Sequence, residues 1–337
     1  MRPETIQKRE DEFFSNLTNS AGVKYKLTAT TDIGNGVKIY SIRPEFDSYY
    51  YKVKTTKKSI CLHFTVGYIK SDTTALSTKD NCVSVSYVVD RSGRIYEMFP
   101  DTEWSYHLGS GAVGGNGVMS KQSIGIEISN YGPLKLSGEN LIDAYKNEYC
   151  KVSETGFYDK LNYRGYDYFA SMTDVQISAT AALIKYLGRK HDIPMNFMPN
   201  DAPFASNAEA VAFKGVFYHT NVRKDKFDWP FGPSLKSLIA ACSNVLPQVE
   251  EAKADVTKTA AAPAEATKVA EPVQEKPAEV IKPAEAPAAP KAEAKATEIK
   301  PTAKPQANKP KSTPAKAPSL LESIISLVIQ LLGGKKH

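Results

Sequence analysis

The chain has 337 residues, with 43 basic and 37 acidic side chains and a formal net charge of +6 at pH 7. This mildly basic balance, with both signs interspersed and no concentrated Lys/Arg face, argues against a nucleic-acid partner. No Phe, Trp or Tyr follows Phe231, and 12 of the 21 prolines lie between Pro247 and Pro318. This composition excludes a second large core there and predicts that the folded part ends near Leu246.

Apolar runs and alternating patterns predict several strands in the first half of the chain. The residues Asp90-Arg91-Ser92-Gly93 between two of these strands are typical of a hairpin turn. In chain order, the predicted elements are a short polar helix over residues 4–17, strands over 37–42 and 58–65, a loop over 71–81, paired strands over 83–89 and 94–99, and a buried strand over 123–128.

Two helices are predicted in the second half. Thr173 and Gln176 have the spacing of a capping box, so we expect a helix that begins there and ends near His191. A second helix is expected over residues 234–246. The glycine-rich segment 109–117 permits either a close approach to a ligand or simple flexibility. Strands interleaved with helices on this scale indicate an α/β sheet covered by helices.

The composition divides the chain into four segments. Residues 1–57 form an N-terminal extension, 58–246 the main domain, and 247–318 an Ala/Pro/Lys/Glu-rich stretch that is typical of disordered linkers. Residues 319–337 predict an apolar amphipathic helix with a basic end. At about 1.5 Å per residue this helix is shorter than the ~30 Å hydrocarbon layer. We expect it to lie on a membrane surface, with self-association or docking on another protein as alternatives.

Two of the five histidines lie where a metal site can form. His63 ends a predicted strand, and His219 directly follows another apolar stretch. Together with Asp228, these two imidazoles can hold zinc at three positions and leave the fourth open for water, as a catalytic zinc site requires. Such a site needs a carboxylate to accept the proton of the water and a cation near the developing oxyanion, for which Glu127 and Lys226 are the candidates.

Five segments, taken in order, resemble the type 2 family of zinc-dependent N-acetylmuramoyl-L-alanine amidases, which includes peptidoglycan recognition proteins. The resemblance covers about residues 58–246, and each segment alone is weakly specific. The segments are the first metal strand Ile60-Cys61-Leu62-His63-Phe64-Thr65-Val66-Gly67, the hairpin over 83–96, the stretch Trp104-Ser105-Tyr106-His107-Leu108-Gly109, the strand Ser123-Ile124-Gly125-Ile126-Glu127-Ile128, and the stretch from His219 to Lys226-Phe227-Asp228.

The resemblance implies a mixed central β-sheet flanked by helices. It also implies hydrolysis of the amide bond between N-acetylmuramic acid and L-alanine in peptidoglycan, with one zinc ion as the cofactor. The implied site consists of the zinc ligands His63, His219 and Asp228, the general base Glu127, the oxyanion-stabilising Lys226 and the substrate-contacting His107.

The chain departs from the family at several positions. Many members have His at the position of Ser86, and one branch has Tyr at the position of Val85 but lacks the glutamate that is present here as Glu127. The common Asp-Pro-Gly turn is Asp228-Trp229-Pro230 in this chain, so the turn after the ligand must differ. Residues 131–171 are longer and richer in tyrosine than expected. They either pack as an insert onto the core, which we favour, or form a wall that stacks against sugars.

The first 20 residues lack the apolar core of a signal peptide, and the four widely spaced cysteines indicate synthesis in a reducing compartment. Together with the implied activity, these features predict a phage endolysin or a virion-associated lysin, which accumulates in the host cytoplasm and then acts on the cell wall. Peptidoglycan is the expected partner. The alternatives are a module that binds peptidoglycan without cutting it and a structural virion protein that carries an amidase-like domain.

Overall fold

The computed structural model describes residues 1–18 and 24–243. The predicted linker over 247–318 and the predicted terminal helix over 319–337 lie outside the described residues, so their roles stay predictions. Within the described ranges, no helix combines the length and the hydropathy that are needed to span a bilayer.

Helices and strands are interleaved along the described chain. The helices are α1 (Pro3–Thr18), α2 (Ile69–Leu76), α3 (Asn116–Gln122), α4 (Asp174–His191), α5 (Asn207–Ala212), α6 (His219–Val222) and α7 (Pro233–Ser243), and a short 3-10 helix covers Thr155–Phe157. The strands are β1 (Tyr25–Asp32), β2 (Lys38–Pro44), β3 (Ser59–Phe64), β4 (Tyr87–Val89), β5 (Ile95–Glu97), β6 (Ser123–Ile128), β7 (Pro133–Ser137), β8 (Asn140–Ile142), β9 (Glu148–Lys151), β10 (Tyr158–Tyr163), β11 (Tyr166–Ala170) and β12 (Gly215–Tyr218).

The main sheet has seven strands in the order β1-β2-β5-β4-β6-β3-β12. Parallel pairing joins β12 to β3, β3 to β6, β6 to β4 and β5 to β2, whereas β1–β2 and β4–β5 are antiparallel. Helices α4 and α7 cover one face and bury Leu183 and Leu238 against Leu62 and Ile126 of the strands. Strands that are covered on both faces are rich in apolar residues, so β3 is recognisable in the sequence by a largely apolar run and β6 by an Ile at every second position. The expected mixed sheet flanked by helices is confirmed.

The opposite face is partly covered by α1 and α2, whose apolar residues pack in one cluster. Phe13 of α1 and Ile69 and Leu76 of α2 are buried there, together with Val88 of β4. The predicted loop over residues 71–81 is therefore wrong, because α2 occupies its first part. Its serine and threonine residues are weak helix formers, but Ile69, Thr73 and Leu76 recur at helical spacing and are buried by tertiary packing.

The tyrosine-rich residues 131–171 form a second sheet of five antiparallel strands, which we call the insert sheet. Its order is β10-β11-β7-β8-β9. Its core contains Leu134, Leu141 and Tyr149, and Ile6 of α1 packs against them. Four of its seven tyrosines are buried, which favours the packing interpretation for them: Tyr131, Tyr149, Tyr158 and Tyr166.

Local predictions hold at α4 but need one correction. The helix begins at Asp174, and the Thr173 hydroxyl accepts the Gln176 backbone N–H at 3.1 Å, as a capping residue should. The second half of the predicted capping box is wrong. The Gln176 amide donates instead to the Val89 and Ser129 carbonyls, because these strand carbonyls are buried and need donors. The paired strands β4 and β5 are shorter than predicted, at three residues each.

Candidate metal centre

Two neighbouring parallel strands bring the predicted ligands together. His63 lies near the end of β3, and His219 directly follows β12, which pairs with β3. Because parallel strands end at the same edge of a sheet, the two imidazoles meet there, with Nδ1 atoms 2.9 Å apart. The Asp228 Oδ2 lies 3.5 Å from Nδ1 of His63 and 3.3 Å from Nδ1 of His219. All three residues are buried, so little of this cluster faces bulk solvent.

A chain of hydrogen bonds behind His63 decides which of its nitrogens carries a proton. The Ser123 hydroxyl donates to the Met119 carbonyl at 2.7 Å, so its oxygen accepts from Nε2 of His107 at 2.9 Å. Neutral His107 is then an acceptor at Nδ1, which lies 3.0 Å from Nε2 of His63. His63 therefore donates from Nε2 and keeps a bare lone pair on Nδ1, the atom that faces His219 and Asp228.

The same reasoning applies to His219. Its Nε2 lies 3.1 Å from the Leu108 carbonyl, which can only accept, so the tautomer that fits carries its proton on Nε2 and leaves Nδ1 bare. Three acceptor atoms, from His63, His219 and Asp228, thus converge with no donor between them. Such a convergence is repulsive unless a cation lies among the three atoms, and two imidazoles with one carboxylate are a typical zinc ligand set. The residues present therefore fit a zinc ion.

Electrostatics favour the protonation states that bind metal. Burial and the neighbouring His219 lower the pKa of His63 to about 4, so His63 is neutral near pH 7. Burial alone would raise the pKa of Asp228, but positive charge at His219 and hydrogen bonds from His219 and His63 outweigh it and hold that pKa well below its usual range. With both Nδ1 atoms bare, a bound metal ion would keep this carboxylate ionised in their place. A neutral imidazole and an ionised carboxylate are the forms that metals bind.

Glu127 lies beside this cluster on the next strand. In the β3–β6 ladder it pairs directly with His63, so both side chains project from the same face of the sheet. Its Oε2 atom is buried and has no hydrogen-bond partner among the described residues. Burial, with Asp228 and Asp72 nearby, raises the pKa of Glu127 well above its usual value. An unpartnered carboxylate with a raised pKa is typical of a proton-transferring group.

Lys226 is brought close to the same groups. It lies in the loop between α6 and Asp228 and is partly buried. Its ammonium is near enough to lower the pKa values of both His63 and Glu127. The structure therefore brings the predicted residues His63, His219, Asp228 and Glu127 to one edge of the main sheet, and Lys226 lies two residues before Asp228. Both ring nitrogens of His107 are hydrogen-bonded within the protein, to His63 and to Ser123. Its contact with substrate stays a prediction.

A second group of possible ligands, Cys61 with His63 and His107, lies behind the first. Burial raises the pKa of the Cys61 thiol well above its usual value, so it remains protonated. The facing nitrogens of His63 and His107 share a hydrogen bond, which explains their closeness without a metal. This group is therefore part of the support for His63.

Some supporting residues were not predicted from the sequence. Ser123, Gly125 and Glu127 alternate along β6 and share one face, so period-two spacing could have indicated that Ser123 belongs to the site. A side chain at Gly125 would come within 3.2 Å of the His107 ring and 2.8 Å of Val85. The absence of a side chain there leaves room for the His107 imidazole.

The glycine-rich segment 109–117 supports the cluster from the other side. It begins after Leu108, whose carbonyl accepts from His219, and its Ser110 carbonyl accepts from the Arg223 guanidinium at 2.6 Å. A side chain at Gly109, where φ is +76°, would come within 2.3 Å of that guanidinium. Arg223 thus ties this segment to the loop that carries Lys226, a role that only the tertiary structure reveals.

The sequence matches the family model described as N-acetylmuramoyl-L-alanine amidase over residues 54–226, just over half of the chain. Asp228 lies two residues beyond the matched segment. No curated protein sequence matches the chain.

Solved structures of amidases are similar at low identity. The E. coli amidase AmiD, in complex with anhydro-N-acetylmuramic acid-L-Ala-D-γ-Glu-L-Lys, has 19% identity and a TM-score of 0.35, over 63% of this chain and 65% of AmiD. The catalytic domain of XlyA has 18% identity and a TM-score of 0.34, over 60% of this chain and 98% of that domain. The Clostridium intestinale endolysin amidase LysCS has 12% identity and a TM-score of 0.31, over 59% of this chain and 93% of LysCS.

These structural likenesses have TM-scores below 0.5, so the assignment depends on the family match. That match contains His63, Glu127, His219 and Lys226, which the fold brings to one edge of the main sheet. The chain belongs to the N-acetylmuramoyl-L-alanine amidase family of peptidoglycan-cleaving enzymes.

Proposed function

We propose that the chain cleaves the amide bond between N-acetylmuramic acid and L-alanine by a zinc-dependent mechanism. The observation that carries the proposal is the convergence of three lone pairs, from His63, His219 and Asp228, beside the unpartnered carboxylate of Glu127. When bound by these three residues, zinc would lower the pKa of a water molecule, polarise the scissile carbonyl and favour the ionised form of Glu127.

The residues of the chain supply the remaining chemistry. Glu127 accepts a proton at its buried Oε2 and returns it to the leaving amine, which is the usual cycle of a general base that becomes a general acid. The Lys226 ammonium stabilises the charge that develops on the carbonyl oxygen. The hydrogen bonds from His63 to His107 and from His219 to Leu108 keep both imidazoles oriented while the charge moves.

The reaction can be tested on purified peptidoglycan with the full chain, with and without a chelator. Mass spectrometry should find free stem peptides that begin with L-alanine, and the chelator should abolish them until zinc is restored. New reducing sugar ends would instead indicate a glycosidase. No product from a zinc-loaded chain would favour the alternative, a module that binds peptidoglycan without cutting it.

Two variants separate metal binding from proton transfer. Asp228→Ala should lose zinc, because two imidazoles alone hold the ion poorly. Glu127→Gln should keep zinc and lose activity by about 10²–10⁴-fold, the usual contribution of a general base. Full activity of Glu127→Gln would show that the base is assigned wrongly.

We also propose that the enzyme serves as a phage endolysin or a virion-associated lysin. The four cysteines Cys61, Cys82, Cys150 and Cys242 are all free, as expected of a protein made in a reducing cytoplasm. Expression in the cytoplasm of a susceptible bacterium should leave the cells intact until the membrane is permeabilised, and the culture should then clear. Clearing without permeabilisation would contradict this role, whereas cleavage of purified peptidoglycan would be unaffected by that result.

A further inference from the structure

The turn between β10 and β11 of the insert sheet has an unexpected residue. Tyr163 pairs with Tyr166, so Arg164 and Gly165 form a two-residue hairpin loop. Both have positive φ, +50° at Arg164 and +83° at Gly165. Such loops favour Asn, Asp or Gly, and an arginine in the left-handed region is uncommon. An uncommon residue at a demanding backbone position suggests that its side chain has a function.

The Arg164 side chain reaches the loop that carries Lys226. Its guanidinium Nη1 donates to the Lys224 carbonyl at 2.7 Å and also to the Lys226 carbonyl. Next to it, the rings of Tyr166 and Phe227 contact each other edge to face, with centroids 5.6 Å apart. The insert sheet therefore touches the residues on both sides of Lys226.

The loop has few other supports: the Arg223 guanidinium pairs with Asp225, and Phe227 packs against the core of the main sheet. Among the described residues, the backbone of 224–227 makes no hydrogen bond to another backbone group. Lys224 and Asp225 are exposed, and no helix or strand includes them. The two carbonyls that flank Asp225 find their donor in Arg164, whose planar guanidinium holds several acceptors in a fixed geometry.

Asp228 is held by different contacts. Its carbonyl accepts the Thr220 backbone N–H at 3.2 Å, and the next carbonyl, of Trp229, accepts from the Asn200 amide at 2.7 Å. Neither contact involves the insert sheet. Loss of the Arg164 side chain should therefore displace Lys226 more than the metal ligand.

We propose that Arg164 is a positioning residue that fixes the Lys226 loop, and that this is what the insert sheet contributes to the reaction. The inference rests on the proposed function, because it gives Lys226 the oxyanion-stabilising role. It assigns the insert a role in the rate of amide cleavage and none in zinc binding.

The test uses full-length Arg164→Asn, Arg164→Lys and a control, Lys160→Ala, which removes an exposed cation from the same hairpin. Asn suits the turn better than Arg, so Arg164→Asn should unfold at the same temperature as wild type or higher. Its kcat on peptidoglycan should fall by about 10–10²-fold, since a displacement near 1 Å can cost that much. The KM of Arg164→Asn and its zinc affinity in chelator competition should change less than about threefold. Arg164→Lys should retain part of the wild-type kcat, and Lys160→Ala should retain all of it.

Unchanged kcat in Arg164→Asn, with an active wild type, would overturn the inference and leave the proposed function intact. A loss of zinc in parallel with kcat would also overturn it, because the insert would then act on the metal ligands. An inactive wild type that binds zinc would instead be a failure of the proposed function.

Discussion

The main sheet and the insert sheet place functional side chains in different ways. On the main sheet, His63 and Glu127 are paired residues of neighbouring strands, so the backbone ladder alone sets their separation. The insert sheet supplies a side chain, Arg164, that holds a loop from outside. A residue on a buried strand is fixed by hydrogen bonds that the fold needs in any case, whereas a residue on a loop needs support from a separate element.

Among the changes that compare the two sheets, the largest effect on rate is expected at the loop that carries Lys226. Lys226→Ala should lower kcat by about 10²–10³-fold, because one stabilising group at the oxyanion is lost, and zinc affinity should stay the same. Lys224→Ala, an exposed lysine of the same loop, is the control and should be near wild type. Steady-state kinetics with zinc titration measures both. A weak effect of Lys226→Ala would show that the loop held by the insert sheet carries no important catalytic group.

A smaller effect, on zinc affinity, is expected at His107, which lies behind the proposed ligand His63. His107→Ala removes the acceptor for His63 Nε2 and should weaken zinc binding by about 10–100-fold, the usual cost of losing such a partner. Chelator competition measures this, with His191→Ala, which lies beside Asp101 and outside the cluster, as the control. Unchanged zinc affinity with a raised KM would show instead that His107 contacts substrate, as the family resemblance implies.

The two cores can be compared by matched cavities. Ile126→Ala in the main sheet and Leu141→Ala in the insert sheet each truncate a fully buried side chain. Each should lower the free energy of unfolding by about 2–5 kcal/mol. Zinc affinity should fall only in Ile126→Ala, because Ile126 pairs with Leu62, the residue before the proposed ligand His63 on β3. Denaturant unfolding measures the loss of stability, and zinc titration measures the loss of affinity. A loss of zinc in Leu141→Ala would show that the core of the insert sheet also supports the metal ligands.

The smallest effect concerns α1, which contacts both sheets. Its Glu10 accepts from the Arg91 backbone N–H, whereas Arg2 pairs with Glu148 and Glu154 of the insert. Burial and the nearby Asp90 raise the pKa of Glu10 from 4.5 to about 9. The folded chain thus keeps a proton that the unfolded chain loses above pH 4.5, so stability falls as pH rises toward 9.

Glu10→Gln should remove this dependence. Its melting temperature should exceed that of wild type at pH 8 and match it at pH 4, where Glu10 is protonated in both states. Glu12→Gln, an exposed position on the same helix, is the control and should show no such difference. Thermal unfolding followed by circular dichroism from pH 4 to pH 9 is the measurement. A difference that is equal at all pH values would mean that packing, and not proton binding, is responsible.

Much of the main sheet could be predicted because the burial of its strands is visible in the pattern of their apolar residues. β3 is largely apolar, β6 alternates Ile with Ser, Gly and Glu, and β12 ends immediately before His219, so the positions of the proposed ligands could be predicted from strand ends. The helix α2 could not be predicted in this way, because its residues are weak helix formers and only burial against α1 and the sheet stabilises it.

The sequence by itself predicted the residues to which the proposed function assigns the chemistry: His63, His219 and Asp228 as ligands, with Glu127 and Lys226 beside them. It also determined the family, because motif order and spacing are properties of the chain alone. Only the tertiary structure decided which nitrogens carry protons and what supports Lys226. Those answers depend on Ser123, Leu108 and Arg164, whose partners lie 16, 111 and at least 60 residues away in sequence, and no local pattern encodes contacts over such separations.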